Sequence, residues 1–173
     1  MCDTTVGMGS LEKLADLVKT VMTVEEGDRK WDDQVPESSC LLLEAALTCI
    51  STLSLFSDKI RHAVIDVHHL LPYISSALSL PHIGTRYAAC RCVRSLSCSI
   101  SVLGTDLVDS GVGMKVFGLL RNTEEDRRVV GASLECICNL VSHFSPLRKV
   151  SAITPFSMDG CRFRHSSRFC NRG

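Results

Sequence analysis

Residues 87–97 read YAACRCVRSLS, a stretch of small residues with an apolar stripe and two arginines at helical spacing. The pattern occurs twice more, as EAALTCISTLS at 44–54 and as VGASLECICNLV at 130–141. Equivalent positions lie 43 residues apart between the first two copies and 44 apart between the second and third. Periods of about 40–47 residues are typical of stacked helical repeats, in which each unit buries its apolar face on its neighbours. The sequence therefore predicts an all-α solenoid of about three repeats that serves as a binding surface.

The segments between the three copies predict two further helices in each repeat. In the first unit a short helix over 58–66 and a medium helix over 72–80 precede the long helix. Gly111 is expected to end the second short helix, because glycine suits the left-handed C-terminal position. Asn122 followed by acidic residues at 124–126 is expected to cap the third long helix. Each repeat thus consists of a short, a medium and a long helix.

The flanking segments lack this pattern. Residues 1–9 contain two glycines and no periodicity and are predicted to be disordered, with Ser10 as the N-cap of the first helix. Residues 24–36 contain five carboxylates and predict an acidic loop, in which Trp31 either folds back on the solenoid or anchors a partner. The repeats are expected to span 10–150.

The C-terminal segment 151–173 has no apolar stripe and is predicted to be a disordered tail. Residues 146–173 carry six basic side chains against one aspartate, a net charge of +5. Arginines beside phenylalanines can grip single-stranded nucleic acid, so a nucleic-acid-associated adaptor is one alternative function. An unselected terminal sequence explains the same composition and is favoured.

Ten cysteines in a chain without a signal peptide predict a reducing compartment, either cytoplasm or nucleus. Six of them lie inside helical patterns and are expected to be free thiols that pack as small hydrophobes: Cys40, Cys49, Cys90, Cys92, Cys136 and Cys138. No run of residues approaches the roughly 18 apolar residues of a membrane span, so no membrane partner is expected.

Metal and catalytic sites are weakly supported. Cys90 and Cys92 are two residues apart, and such positions on a helix point about 200° away from each other. Cys161, His165 and Cys170 form a sparse set in the tail that lacks a fourth zinc ligand. A Cys/His metal-binding protein stays an alternative, but no metal or cofactor is predicted. Because no catalytic motif occurs, the chain is not expected to be an enzyme.

The order of the helices, the alanines near the start of the long helices and an Asn-Leu pair near the end of the third resemble armadillo repeats. The resemblance implies that Asn139 lies on the inner concave face and binds the backbone of an extended peptide, with Glu135 and Arg91 as rim charges. Thr52 and Ser95 occupy the places equivalent to Asn139. The import-receptor branch has a tryptophan at the positions of Thr48, Arg91 and Glu135, so a reader of nuclear signals is not expected.

Three runs are similar to the armadillo scaffold subunits of the CTLH (GID) ubiquitin ligase complex. They are AACRCVRSLSCSISVLGTDLVD at 88–109, DSGVGM at 109–114 and NLVSHFSP at 139–146. The chain departs from that family at Cys98 and Gly104, where the family has arginines, and it lacks many further repeats. The resemblance implies a truncated piece or paralogue of such a subunit, which binds other subunits and acts in ubiquitin-dependent protein degradation.

Two surfaces are candidates for contacts. Arg86, Arg91 and Arg94 share one face of the central long helix and either bind an acidic peptide or pair with carboxylates of the chain itself, such as Asp106, Asp109 or Glu124. The third long helix is apolar on more sides than one repeat can cover. We therefore expect self-association through an uncapped C-terminal repeat, or cover by another subunit.

Overall fold

A computed structural model describes residues 4–28, 36–98 and 111–144. Within these ranges the chain forms seven α-helices, α1 (Thr4–Asp28), α2 (Glu37–Leu55), α3 (Asp58–His62), α4 (Leu71–Ala77), α5 (Ile83–Leu96), α6 (Val112–Arg121) and α7 (Arg127–Phe144). A π-helical turn, Ala63–Val67, continues α3. The predicted all-α fold is confirmed. The second short helix, Trp31 and the tail 151–173 lie outside the described residues.

The three long helices α2, α5 and α7 contain the three copies of the repeated stretch, and each contacts the next at a distance of one repeat in sequence. The hydroxyl of Thr85 on α5 donates to the carbonyl of Cys40 on α2 at 3.1 Å. The thiol of Cys92 donates to the carbonyl of Leu47 at 2.9 Å. On the other side of α5, Cys90 Sγ lies 3.4 Å from Ser133 Oγ on α7. The repeat period therefore sets the register in which neighbouring helices pack.

The core is a continuous layer of aliphatic side chains shared by α1 to α7. Its largest fully buried members are Leu11, Leu47, Ile50, Leu70, Ile74, Leu78, Leu96, Val18, Val64 and Val93. Complete burial of one such side chain is worth about 1.5–3 kcal/mol. The last repeat contributes smaller core residues, among them Val116 of α6 and Val129 of α7, so the one core joins all the repeats and stability depends on contacts between them.

The first helix begins earlier than the sequence predicts. Residues 4–9 belong to α1, so the prediction of disorder over 1–9 is wrong there, and Ser10 lies inside the helix instead of capping it. Gly7 is buried, and a Cβ added to it would lie 3.1 Å from Ile60 Cδ1. Met8 packs against the core as well. Close packing at Gly7 thus offsets the low helix propensity of glycine.

Two further boundaries differ from the prediction. The acidic loop 24–36 is helical up to Asp28, residues 29–35 lie outside the described residues, and α2 begins directly after Pro36. The third long helix begins at Arg127, later than the 124–126 start that was expected. The side chain of Asp126 accepts from the Arg128 amide at 2.9 Å, whereas Asn122 accepts from Glu124 in the preceding turn. Two capping residues compete here, and the later one starts the helix.

Helix α2 is also long enough and apolar enough, with a mean hydropathy of 1.5, to cross a membrane by length and composition alone. It is the one helix among those described that meets this test. The expectation that no segment has this character is therefore wrong for α2. Its packing explains part of this composition, because α2 lies against α1 and α5 and buries Leu43, Leu47 and Ile50, whereas Leu41 and Leu42 are exposed.

Candidate protein-binding groove

A groove with a cavity volume of about 400 Å³ lies between α5 and α7. Its lining residues are Tyr87, Arg91 and Arg94 of α5, and Arg127, Arg128, Gly131, Ala132 and Glu135 of α7. Four of these eight residues are arginines and one is a glutamate. The groove is therefore a positively charged surface.

Helical spacing explains why these side chains share the groove. Tyr87, Arg91 and Arg94 are three to four residues apart, so they share one face of α5. The intervening Cys90 and Val93 are buried in the core. On α7 the same spacing places Arg127 or Arg128, Gly131 and Glu135 along the facing side. The polar residues of α5 and α7 thus face each other beside the apolar contact between the two helices.

The charges of the groove are only partly paired. Arg94 Nη1 lies 2.7 Å from Glu135 Oε2, an ion pair that joins α5 to α7. Arg128 Nε lies 3.2 Å from Asp126 Oδ1. The Arg91 guanidinium carbon lies 5.9 Å from the centre of the Tyr87 ring, within cation–π range. Within the described residues, Arg91 and Arg127 form no ion pair.

Arg86, the third arginine of the predicted basic stripe, has a structural role. Its guanidinium donates to the carbonyls of Leu80 at 2.7 Å and Pro81 at 2.6 Å. It also donates to Glu125 Oε1 at 2.6 Å. Its carboxylate partner among the described residues is therefore Glu125, the neighbour of the Glu124 considered from the sequence. Asp106 and Asp109 lie outside the described residues.

The structure brings together three of the four site residues proposed from sequence, Arg91, Arg94 and Glu135. Asn139 lies on α7 one turn beyond Glu135, is half-buried and does not line the groove. Among the described residues its amide makes no hydrogen bond. The binding roles of all four residues stay predictions.

Sequence reasoning missed Tyr87, Arg127, Arg128 and Gly131. Arg127, Gly131 and Glu135 are each four residues apart, a spacing that marks one helix face and is visible in the sequence. The predicted helix, which began at Glu124, already contained both arginines; the spacing could not show that this face lies beside α5.

The two thiols of α5, those of Cys90 and Cys92, are buried against neighbouring helices on opposite sides. Cys90 faces Ser133 in the following repeat and Cys92 faces Leu47 in the preceding one, as their angular separation predicts. Burial raises the pKa of the Cys92 thiol, and also that of Cys136, to about 12. Neutral thiols of this kind are poor nucleophiles and poor metal ligands.

The expectation that all six helical cysteines pack in the core is wrong for Cys49 and Cys138, which are exposed. Cys138 lies two residues after buried Cys136 and therefore faces away from it. Within the described ranges, no three His, Cys, Asp or Glu side chains lie close enough together to hold a metal ion. Cys161, His165 and Cys170 lie outside those ranges.

Comparison with curated proteins finds relatives among armadillo proteins. The chain is 31% identical over 169 residues to GID complex subunit 5 of Schizosaccharomyces pombe, which covers 90% of this chain and 21% of that protein. It is 33% identical over 108 residues to armadillo repeat-containing protein 8 of Xenopus laevis, covering 62% of this chain and 15% of that protein. The protein of the same name from Pongo abelii is 32% identical over 108 residues, with 62% and 16% covered.

The chain thus spans about a fifth or less of the length of these relatives. No protein-family model matches the chain, and no solved structure does.

Proposed function

The chain is an armadillo protein similar to armadillo repeat-containing protein 8, and from this premise we propose that it is a non-enzymatic scaffold in a GID/CTLH-type ubiquitin ligase complex. The observation that carries the proposal is the similarity to GID complex subunit 5, which extends over 90% of the chain. In this role the chain holds other subunits of the complex and contributes to ubiquitin-dependent protein degradation. The cytoplasm and the nucleus are the proposed compartments, because both keep thiols reduced.

The packing of the repeats supports a scaffold. Hydrogen bonds from Thr85 and Cys92 tie α5 to α2, and the ion pair between Arg86 and Glu125 ties α5 to the segment before α7. Such contacts hold neighbouring repeats in one register, so surface residues of different repeats keep fixed separations. A protein that positions other subunits needs this property more than it needs a reactive group.

The proposal is tested by reconstitution. The purified chain is mixed with purified GID-type complex subunits, and the mixture is resolved by size-exclusion chromatography with mass spectrometry of each fraction. We expect the chain to co-elute with at least one subunit, while an unrelated armadillo protein of similar size used as a control elutes alone. Elution of both proteins at their unbound positions would overturn the proposed function.

A further inference from the structure

We propose that the groove between α5 and α7 binds an extended acidic segment of a partner protein. This inference deepens the proposed scaffold function, because it assigns the chemistry of one partner to one surface. The groove is lined by four guanidinium groups and one carboxylate, with Asp126 at its edge. The excess of positive charge is the first reason to expect an anionic ligand.

The second reason is the arrangement of the charges. Arg127 and Arg128 stand in the first turn of α7, where the helix dipole already contributes positive charge and a cation is unfavourable. Asp126 offsets part of this cost through Arg128. Arg127 has no such partner among the described residues. Repulsion between these positive charges destabilises the free protein, and an anion that binds between them relieves that repulsion.

The spacing of the arginines suits an extended chain. Arg91 and Arg94 are one helical turn apart, about 5–6 Å between Cβ atoms. Packed helices are about 8–10 Å apart, which separates the arginines of α5 from those of α7. Alternate side chains of an extended peptide point to the same side at intervals of about 6–7 Å. Carboxylates at alternate positions can therefore reach arginines of both helices.

The floor of the groove has space for a peptide backbone. A Cβ added to Gly131 would have no atom within 4 Å, and the neighbouring Ala132 is small and buried. Arg91 lies over the face of Tyr87, so that ring is not open for stacking with a nucleobase. Glu135, paired with Arg94, interrupts the positive surface, which suits separate carboxylates better than an unbroken run of phosphates. These contacts favour an acidic protein segment over single-stranded nucleic acid.

The test measures binding of a fluorescent Glu-Ser repeat peptide by anisotropy. We expect saturable binding that weakens with added salt, and an affinity at least about tenfold lower for Arg91→Glu and for Arg127→Glu. Lys13→Glu, at an exposed position of α1, makes the same charge change away from the groove and should leave affinity nearly unchanged. Equal effects of the three substitutions would overturn the proposal, because they would show only bulk electrostatic attraction.

A second pair of variants separates shape from charge. Gly131→Phe should block the groove and lower affinity by a similar factor, whereas Gly118→Phe on α6 should not, although both glycines are exposed helical positions with open space around them. Unchanged affinity for Gly131→Phe would place the peptide elsewhere. Tighter binding of a single-stranded oligonucleotide than of the peptide, lost in the same arginine variants, would replace the acidic segment by nucleic acid and overturn the proposal.

The groove and the scaffold role can fail separately. If the chain co-elutes with GID-type subunits but the groove variants bind the peptide like the parent protein, only the groove assignment is wrong. If the groove variants lose the peptide but the parent chain co-elutes with no subunit, the groove stands as an acidic-peptide site and the scaffold role is wrong.

Discussion

The guanidinium of Arg86 and the carboxylate of Glu125 lie 2.6 Å apart although 39 residues separate them, and their side chains are only 14% and 3% exposed. Arg86 also holds the carbonyls of Leu80 and Pro81, so it joins α5, the turn before it and the turn before α7. Removal of one member of a buried pair costs more than the pair contributes, since it leaves a buried charge without its partner.

We therefore expect Arg86→Met to lower the free energy of unfolding by about 3–5 kcal/mol, because it leaves the Glu125 carboxylate buried. Glu125→Gln should cost less, about 1–2 kcal/mol, since Arg86 keeps its two carbonyl partners. Urea denaturation followed by circular dichroism measures both. The matched control is Arg94→Met, which breaks an ion pair whose members are 45% and 58% exposed and should cost under about 1 kcal/mol. An equal loss of unfolding free energy in Arg86→Met and Arg94→Met would contradict the interpretation that the buried Arg86 ion pair stabilises the fold.

Stability should fall at high pH because of the buried thiols. The pKa of Cys92 and that of Cys136 are raised from 9.0 to about 12 by burial. Between pH 9 and 12 the unfolded chain therefore loses protons that the folded chain keeps, so the unfolded state is favoured as pH rises. The stabilisation is complete below pH 9 and is lost as pH approaches 12.

Urea unfolding at a series of alkaline pH values measures this dependence. A Cys92→Ala variant should be less stable near neutral pH but should lose less stability on going to alkaline pH, because it lacks one of the thiols whose pKa is raised on folding. Cys138→Ala is the control, since that thiol is exposed and its removal should leave the slope unchanged. Parallel curves for the parent chain and Cys92→Ala would show that other groups cause the alkaline loss.

Asn139 is predicted to contact the backbone of a bound peptide. An amide both donates and accepts hydrogen bonds, and within the described residues this amide makes none. Asn139→Ala should weaken a protein partner that occupies α7 by about 1 kcal/mol or more while thermal unfolding stays the same. Isothermal titration with the subunit found by co-elution measures the loss. Unchanged affinity would place the contact on another face.

Self-association is expected from the apolar side of α7. Val129 is buried and Ile137 and Leu140 pack against the core, whereas Leu134 is 51% exposed, so Leu134 is the residue at which the expected contact is tested. Sedimentation velocity at several concentrations should show a reversible shift to larger species, reduced in Leu134→Lys. Met114→Lys on α6, where the methionine is also exposed, serves as the control. A single monomeric species at all concentrations would contradict the expectation.

The period of the sequence predicted the long helices well, because their packing follows it. The stretch 87–97 ends within one residue of the end of α5, and one matched set, Ala46, Ala89 and Ser133, is buried in all three helices. Helix starts were harder to predict. Near the start at Thr4, buried Gly7 packs close to Ile60, a residue distant in sequence. At α7, Asn122 and Asp126 are both good caps, and only packing decides between them.

The groove was half predicted for a similar reason. Arg91, Arg94 and Glu135 could be placed on helix faces from their spacing alone. That Arg94 faces Glu135 at 2.7 Å depends on how α5 and α7 lie beside each other, which no local pattern encodes. The same packing of α7 beside α5 places Arg127 and Arg128 in the groove.

Cys90 and Cys92 also bear on how an array of this kind changes its length. Helix α5 meets its predecessor through Thr85 and Cys92, and its successor through Cys90 and Arg86, so the two sets of side chains do not overlap. A unit cut at the same point of each period therefore carries one side of the joint to the unit before it and one side of the joint to the unit after it. Duplication or excision of such a unit brings one set of each kind together at a new joint, so the array can change its length only where the two sets fit each other across repeats.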